Sequence, residues 1–214
     1  MNSIAVYTAN IGGYDNLRPG LYPDEVDYIC FSDTAFTAPK PWEVRVVSPP
    51  PHIDSRKAAR YFLLQSVKVL PEYVFTIMHG GNSILTVPPS KLVASLGTNS
   101  IAAFKHPHRN SVYDEPKACA TLGKDRMENM TVQMARYKAE GFPGTPFSTC
   151  ILLVRKNTIE IAALESLWWK EVLAGSHRDQ LSFDYARWKK GVSITYIPGD
   201  PFASSYLSVH KHLR

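Results

Sequence analysis

Cysteine is scarce in this 214-residue chain: Cys30, Cys119 and Cys150 are odd in number, widely spaced and form no CxxC pair. That excludes a disulfide framework and a structural zinc cluster, and it fits a reducing compartment. Long apolar runs are also missing. No stretch approaches the roughly 18 residues of a membrane span, and the start, MNSIAVYTANIGG, lacks a basic segment leading into a sustained apolar one. The expectation is a cytoplasmic protein without a membrane span. Three common site signatures are absent as well. There is no GxxxxGK[ST] phosphate loop, IGGYD is not a GxGxxG fingerprint, and no GxSxG elbow supports a serine hydrolase. Neither sign of charge dominates: 24 basic residues against 19 acidic ones give a net charge of +5 and a pI near 9.0. So mild an excess suits a phosphate-bearing ligand. Aromatic residues are not interleaved with basic ones as a stacking platform needs, so no nucleic-acid partner is expected.

What is present is ordinary globular composition, 44% hydrophobic and 20% charged. The length fits one compact domain over residues 1–214, whole or excised from a longer polypeptide. Short apolar runs at Ile4 to Tyr7, Asp27 to Phe31, Trp42 to Val47, Val74 to Met78, Ser83 to Val87, Ile101 to Phe104, Ser148 to Val154 and Ser193 to Ile197 read as strands. Between them lie helical patterns: from Ser55 with apolar residues at Ala59, Phe62, Leu63, Val67 and Leu70, from Pro89 to about Leu96, over residues 116–140, over Thr158 to Ala174 and over Asp179 to Lys190. Met127, Met130 and Met134, three and four apart, read as a core stripe. Strands alternating with helices predict an α/β fold, Rossmann-like, with a mostly parallel central sheet of about six or more strands flanked by helices.

In such sheets ligands bind beyond the carboxyl ends of the strands. The segment VFTIMHGGNSIL draws attention because an apolar strand runs into His79, Gly80, Gly81 and Asn82 before turning apolar again. Two glycines flanked by an imidazole and a carboxamide gain little from packing and much from a ligand held against the backbone. A plain glycine turn with a surface histidine explains the same residues. Thr8, Asn10, Asp33, His79, Asn82 and Ser148 all follow or bound predicted strands and are expected to converge. Arg56 and Arg60 share one helix face, as a phosphate-binding pair or as a solvated stripe.

The order YTANIGGYD, DYICFSD, SRKAAR, GGN, FKHPHR, EGFP, the Trp168-Trp169 pair and DQLSF resembles a family of GT-A-type glycosyltransferases first defined as a domain of unknown function. That family is distantly similar to the retaining, metal-dependent galactosyltransferase and glycogenin group. The resemblance covers nearly the whole chain and extends to the chlorella-virus branch that decorates capsid glycoproteins, which places the protein in the host cytoplasm. It implies transfer of a hexose-type sugar from a UDP-sugar to a glycan or glycoprotein acceptor, with retention of configuration and with Mn²⁺ or Mg²⁺ as cofactor. Thr8, Ala9 and Asn10 then line the uridine and ribose, with Asp33 near the base. Arg60 reaches the diphosphate and sugar, Asp179 holds sugar hydroxyls, and Gln180 lies against the anomeric carbon, opposite the leaving group. His212, or else His210, contributes to the metal and phosphate site. Ser148, His106, Arg109 and Trp169 are candidates for the sugar or acceptor pocket, although a basic loop at 105–109 explains His106 and Arg109 equally.

The metal motif departs from the family. A carboxylate usually stands where this chain has Gly80, and a charge pair at 4 Å is worth about 4 kcal/mol at an effective dielectric near 20. His79, Asn82 and a C-terminal histidine remain as ligands, so metal and nucleotide are expected to bind together. The same departure motivates an alternative: a catalytically silent module that binds a sugar nucleotide or glycan.

Overall fold

The computed structural model describes residues 2–212. Its strands are β1 (Ile4–Asn10), β2 (Asp27–Ser32), β3 (Trp42–Val46), β4 (Phe75–His79), β5 (Ser83–Leu85), β6 (Ile101–Lys105), β7 (Ser148–Lys156), β8 (Thr195–Ile197) and β9 (Leu207–Val209). The helices are α1 (Ser55–Leu64), α2 (Ser66–Val69), α3 (Pro89–Ala94), α4 (Glu115–Thr121), α5 (Met127–Ala139), α6 (Ile159–Ala174) and α7 (Gln180–Lys190). A 3-10 turn at Val112–Asp114 leads into α4.

Seven strands form one sheet in the order β3-β2-β1-β4-β7-β6-β8. β3, β2, β1 and β4 are mutually parallel, β7 runs antiparallel to both β4 and β6, and β8 is parallel to β6. Only β7 opposes the rest, so the mostly parallel α/β architecture expected from the sequence is the one observed. The reversal has a consequence for the site. It brings the start of β7 to the edge where the other strands end, with Ser148 paired to Lys105.

Strand alternation divides the core between the two sheet faces. Ala5, Tyr7, Ile29, Phe31, Met78 and Leu153 pack on one face under α1, α6 and α7. Val6, Cys30, Ile77, Leu152 and Val154 pack on the other beneath α3 and a two-stranded ribbon of β5 and β9. A smaller cluster, including Met130, Met134, Tyr137 and Phe142, joins α5 to α7. Each such buried side chain contributes about 1.5–3 kcal/mol.

A buried ion pair fixes the helices that matter most. Arg155, fully buried on β7, donates Nη1 to Glu165 Oε1 of α6 at 2.8 Å and to the Leu64 carbonyl at the end of α1 at 3.2 Å. The Tyr7 hydroxyl completes the group by donating to the Leu63 carbonyl at 2.6 Å. Removing one partner would leave a buried charge uncompensated, so the register of α1 and α6 on the sheet is strongly held.

Four details differ from the sequence expectations. The helix expected from Ser55 to Leu70 breaks at Gln65, whose backbone leaves the helical region while its amide donates to the Glu165 carbonyl at 2.6 Å. Residues 116–140 divide into α4 and α5. Met130 and Met134 are buried, whereas Met127 is 39% exposed and lies outside the core stripe. Finally, β9 pairs with β5, an element that three polar-flanked residues did not announce.

Candidate functional site

The loop after β1 closes on itself. Asn10 donates its side-chain amide to the Asp15 carbonyl at 2.7 Å and accepts from the Asp15 N–H at 3.0 Å. Gly12 and Gly13, at φ +73° and +61°, supply the left-handed turn that side-chain-bearing residues rarely adopt. The Gly12 N–H then donates to both carboxylate oxygens of Asp33 at 3.0 and 3.1 Å, tying the end of β2 to the loop. Thr8 is buried at the end of β1, and Ala9 is half-buried against the α1 face. Thr8, Ala9, Asn10 and Asp33 thus frame one loop.

The Gly80-Gly81-Asn82 turn leans against that loop. The Gly81 carbonyl accepts from the Arg18 N–H at 3.1 Å. A Cβ at Gly81 would meet Leu17 at 3.1 Å and Asp15 at 3.5 Å, so a residue larger than glycine would crowd the loop. Asn82 and His210 embrace through their backbones and one side chain: His210 N–H donates to the Asn82 carbonyl at 3.0 Å, and the Asn82 amide donates to the His210 carbonyl at 2.6 Å. The His210 ring lies beside the Ser208 hydroxyl at 3.3 Å. Two residues on, His212 Nδ1 sits 2.8 Å from Asp15 Oδ1, its ring 5.1 Å from that of Tyr14. Asp15 is the carboxylate that sequence reasoning missed. The signal was available, since it closes the same YTANIGGYD motif.

His79 lies elsewhere. It continues the Phe75, Ile77 face of β4, is 1% exposed, and meets the Trp42 ring edge-on at 5.9 Å. Its Nδ1 is 2.8 Å from the Gly80 carbonyl, and its Nε2 is buried without a partner. Burial pushes its pKa down to about 4, so the ring is neutral at pH 7. The structure pairs Asp15 with His212 and Asn82 with His210, and buries His79 against Trp42. Among the described residues, no group of three or more His, Cys, Asp or Glu side chains is placed to hold a metal ion.

On the other side, α1 and α7 bring Arg60 and Asp179 within 3.6 Å, Nε to Oδ1. Arg60 Nε is buried and makes no hydrogen bond. Asp179 sits at the N-terminus of α7 with its carbonyl accepting from the fully buried Trp168 indole at 2.8 Å. Trp168 therefore positions Asp179 rather than lining a groove. Gln180, half-buried, follows as the first residue of α7. α7 is itself fastened to β7: Ser148 donates its N–H and hydroxyl to Asp184 at 2.7 and 2.8 Å. Ser148 is fully buried in that contact. Cys150 lies half-buried nearby, and loss of solvation, reinforced by Asp179 and Asp184, drives its pKa well above the thiol range, so it is no thiolate nucleophile.

His106 and Arg109 occupy a separate cleft of about 360 Å³ with Lys105, Asn110 and Phe147. His106 stacks on Phe147 at 5.0 Å, and burial, helped by Arg109, pushes it down to about 4. Arg109 pairs with the buried Glu115 at 2.5 Å. At Arg178, beside Asp179 in sequence, burial opposes the charge, but Asp179, then Cys119 and Glu115, raise its pKa. Trp169, half-buried, packs edge-on against Tyr61 at 5.3 Å on the outer side of α1.

A family model described as TOD1/MUCI70, glycosyltransferase-like domain, matches residues 38–196, more than half of the chain. The protein belongs to that family and is a glycosyltransferase-like domain. Among solved structures it is similar to one titled "WbbM bifunctional glycosytransferase apo structure", at 11% identity and a TM-score of 0.50, over 92% of this chain and 38% of that one. The likeness is one of fold, and the chain spans well under half the length of that protein. No curated protein matches. No helix among the described residues is long and apolar enough to cross a membrane.

Proposed function

We propose that this chain is a single glycosyltransferase domain that moves a hexose-type sugar from a UDP-sugar to a glycan or glycoprotein acceptor with retention of configuration. The observation that carries the reading is the Arg60–Asp179 pair at 3.6 Å, beyond the strand ends that also carry the Thr8–Asp15 loop. The viral capsid setting and host-cytoplasm location rest on the order of the sequence motifs alone.

The loop residues Thr8, Ala9, Asn10 and Asp33 take the uridine and ribose. Asp15 and His212, 2.8 Å apart, would hold a divalent cation. Two protein ligands suit Mg²⁺ or Mn²⁺, which complete their shells with water and phosphate oxygens. When bound, such an ion neutralises charge on the diphosphate. Arg60 supplies fixed positive charge to the departing diphosphate; its buried Nε, 3.6 Å from Asp179 Oδ1, makes no hydrogen bond, which leaves its N–H for that contact. Asp179 accepts from sugar hydroxyls and orients the anomeric carbon. The bond from that carbon to the diphosphate oxygen breaks as the bond to the acceptor oxygen forms on the same face, and the acceptor's proton passes to the diphosphate. Gln180 is too weak a nucleophile for a covalent role, so it stabilises positive charge at the anomeric carbon.

UDP release from UDP-sugars with Mn²⁺ present tests this. Turnover is expected to fall about 100-fold or more in Arg60→Ala and in Asp179→Ala, the range found when one transition-state contact is removed. Unchanged turnover in both variants would contradict the assignment.

The silent binding module stays as a second reading because no three-ligand group is present among the described residues. UDP binding without turnover on any donor favours it. In Gly80→Asp a Cβ would lie 2.7 Å from Asn82 Oδ1, so the Asn82 side chain must shift to admit the added carboxylate.

A further inference from the structure

A cleft of about 620 Å³ opens between the start of α1, the turn joining α4 to α5 and the turn after α6. Arg56, Lys57, Lys124, Arg126, Asn129 and His177 line it. Two acids, Asp54 and Asp125, line it as well, and both are engaged by the chain. Asp54 accepts from the Lys57 N–H at 3.0 Å, capping α1. Asp125 accepts from the Arg126 N–H at 2.7 Å and from the Ser176 hydroxyl, and lies 3.4 Å from His177 Nδ1. Lys57 donates to the Leu173 carbonyl at 2.8 Å. Among the described residues, the side chains of Arg56, Lys124 and Arg126 make neither an ion pair nor a hydrogen bond. Four basic side chains, Arg56, Lys57, Lys124 and Arg126, thus line the cleft against two carboxylates, and three of the four have no hydrogen-bonded partner.

The walls are fixed rather than loose. A Cβ on Gly175 would meet the Gln133 amide at 2.6–2.9 Å, and Gln133 Oε1 accepts from the Ser176 N–H at 3.1 Å. The position is informative too. Arg56 is one helical turn from Arg60, and His177 is two residues from Asp179, so the cleft adjoins the Arg60–Asp179 pair. Burial opposes protonation of His177; Asp125 favours it, and Arg56, Arg178 and Arg60 act together against it.

Resting on the donor assignment above, we propose that this cleft receives an anionic group of the acceptor, a carboxylate or phosphate carried on a sugar. Guanidinium forks match either group in bidentate fashion, and a neutral sugar would leave them unanswered. The acceptor class is thus an acidic glycan.

Titration of the ¹⁵N-labelled chain with a glucuronate-ended disaccharide, its glucose-ended counterpart, glucose 6-phosphate and UDP tests this. The two acidic sugars are expected to shift the amides of Lys124, Arg126, Asn129 and His177 and to bind about tenfold more tightly than the neutral one, the ratio that one charge-assisted hydrogen bond supplies. A response to only one of them says which anion the cleft takes. The double variant Lys124→Ala/Arg126→Ala should erase that preference and leave UDP affinity unchanged. Equal binding of acidic and neutral sugars overturns the proposal, and so does a parallel fall in UDP affinity, which would give the cleft to the donor's diphosphate. UDP binding to the unaltered chain reads the donor assignment separately, because a chain that binds UDP yet treats all sugars alike overturns the acceptor proposal by itself.

Discussion

His79 shows how much one side chain's facing decides. An imidazole at the end of a strand was a natural ligand candidate, yet its side chain follows the period-two face of Phe75 and Ile77 and ends under Trp42. Its folded pKa of about 4 lies below the ordinary value near 6.5, so between those two values the unfolded chain binds more protons. Stability is therefore full above about pH 6.5 and declines as pH falls toward 4. His106, held down to about 4 by burial and Arg109, works in the same direction. Urea unfolding at pH 7 and pH 5 is expected to show that His79→Gln removes up to about 2 kcal/mol of the loss seen in the unaltered protein. An equal loss in both proteins would mean that His79 is not held neutral. The converse lesson comes from Asp15. The motif it closes was visible, but its partner His212 is at the far end of the chain, and sequence spacing carries no hint of the 2.8 Å approach.

At the scale of elements, α7 illustrates what spacing does convey. The helix over Asp179 to Lys190 was legible from apolar periodicity, and Gly191 at φ +66° ends it in the left-handed cap such helices favour. Its attachment was not legible. Asp184 is buried and receives both polar hydrogens of Ser148, which makes Ser148 a structural anchor for the helix that presents Asp179. Burial raises the Asp184 pKa despite Arg187, so the contact is held at some cost to its charge. Asp184→Ala would strand two buried donors, and denaturation should register a loss of about 2–4 kcal/mol. A change below about 0.5 kcal/mol would show that α7 is held by packing alone. β9 was the least legible element, since a strand of three residues forms only where tertiary contacts supply the partner, here β5, which the sequence did announce.

Across the whole molecule, the alternation of strands and helices sufficed for the mostly parallel sheet because each crossover helix carries an apolar face that the sheet must cover. The single antiparallel strand, β7, could not be read, since a buried strand's composition is the same in either direction. Direction matters here because it places Ser148 and Cys150 beside the ends of β1, β4 and β6. Two sets of groups result at one sheet edge: a loop clasped by Asp33, Asp15 and His212, and a charged pair of Arg60 and Asp179. The central claim is that a uridine diphosphate spans these two sets with a divalent ion. Thermal unfolding in the presence of UDP, GDP or CMP, each with and without Mn²⁺, tests it most directly. At 100 times its Kd a ligand adds about 2.7 kcal/mol of stability. The expected result is a rise in melting temperature for UDP with Mn²⁺ that exceeds UDP alone and both other nucleotides. Equal shifts for all three nucleotides, or none with UDP and Mn²⁺, would contradict the claim.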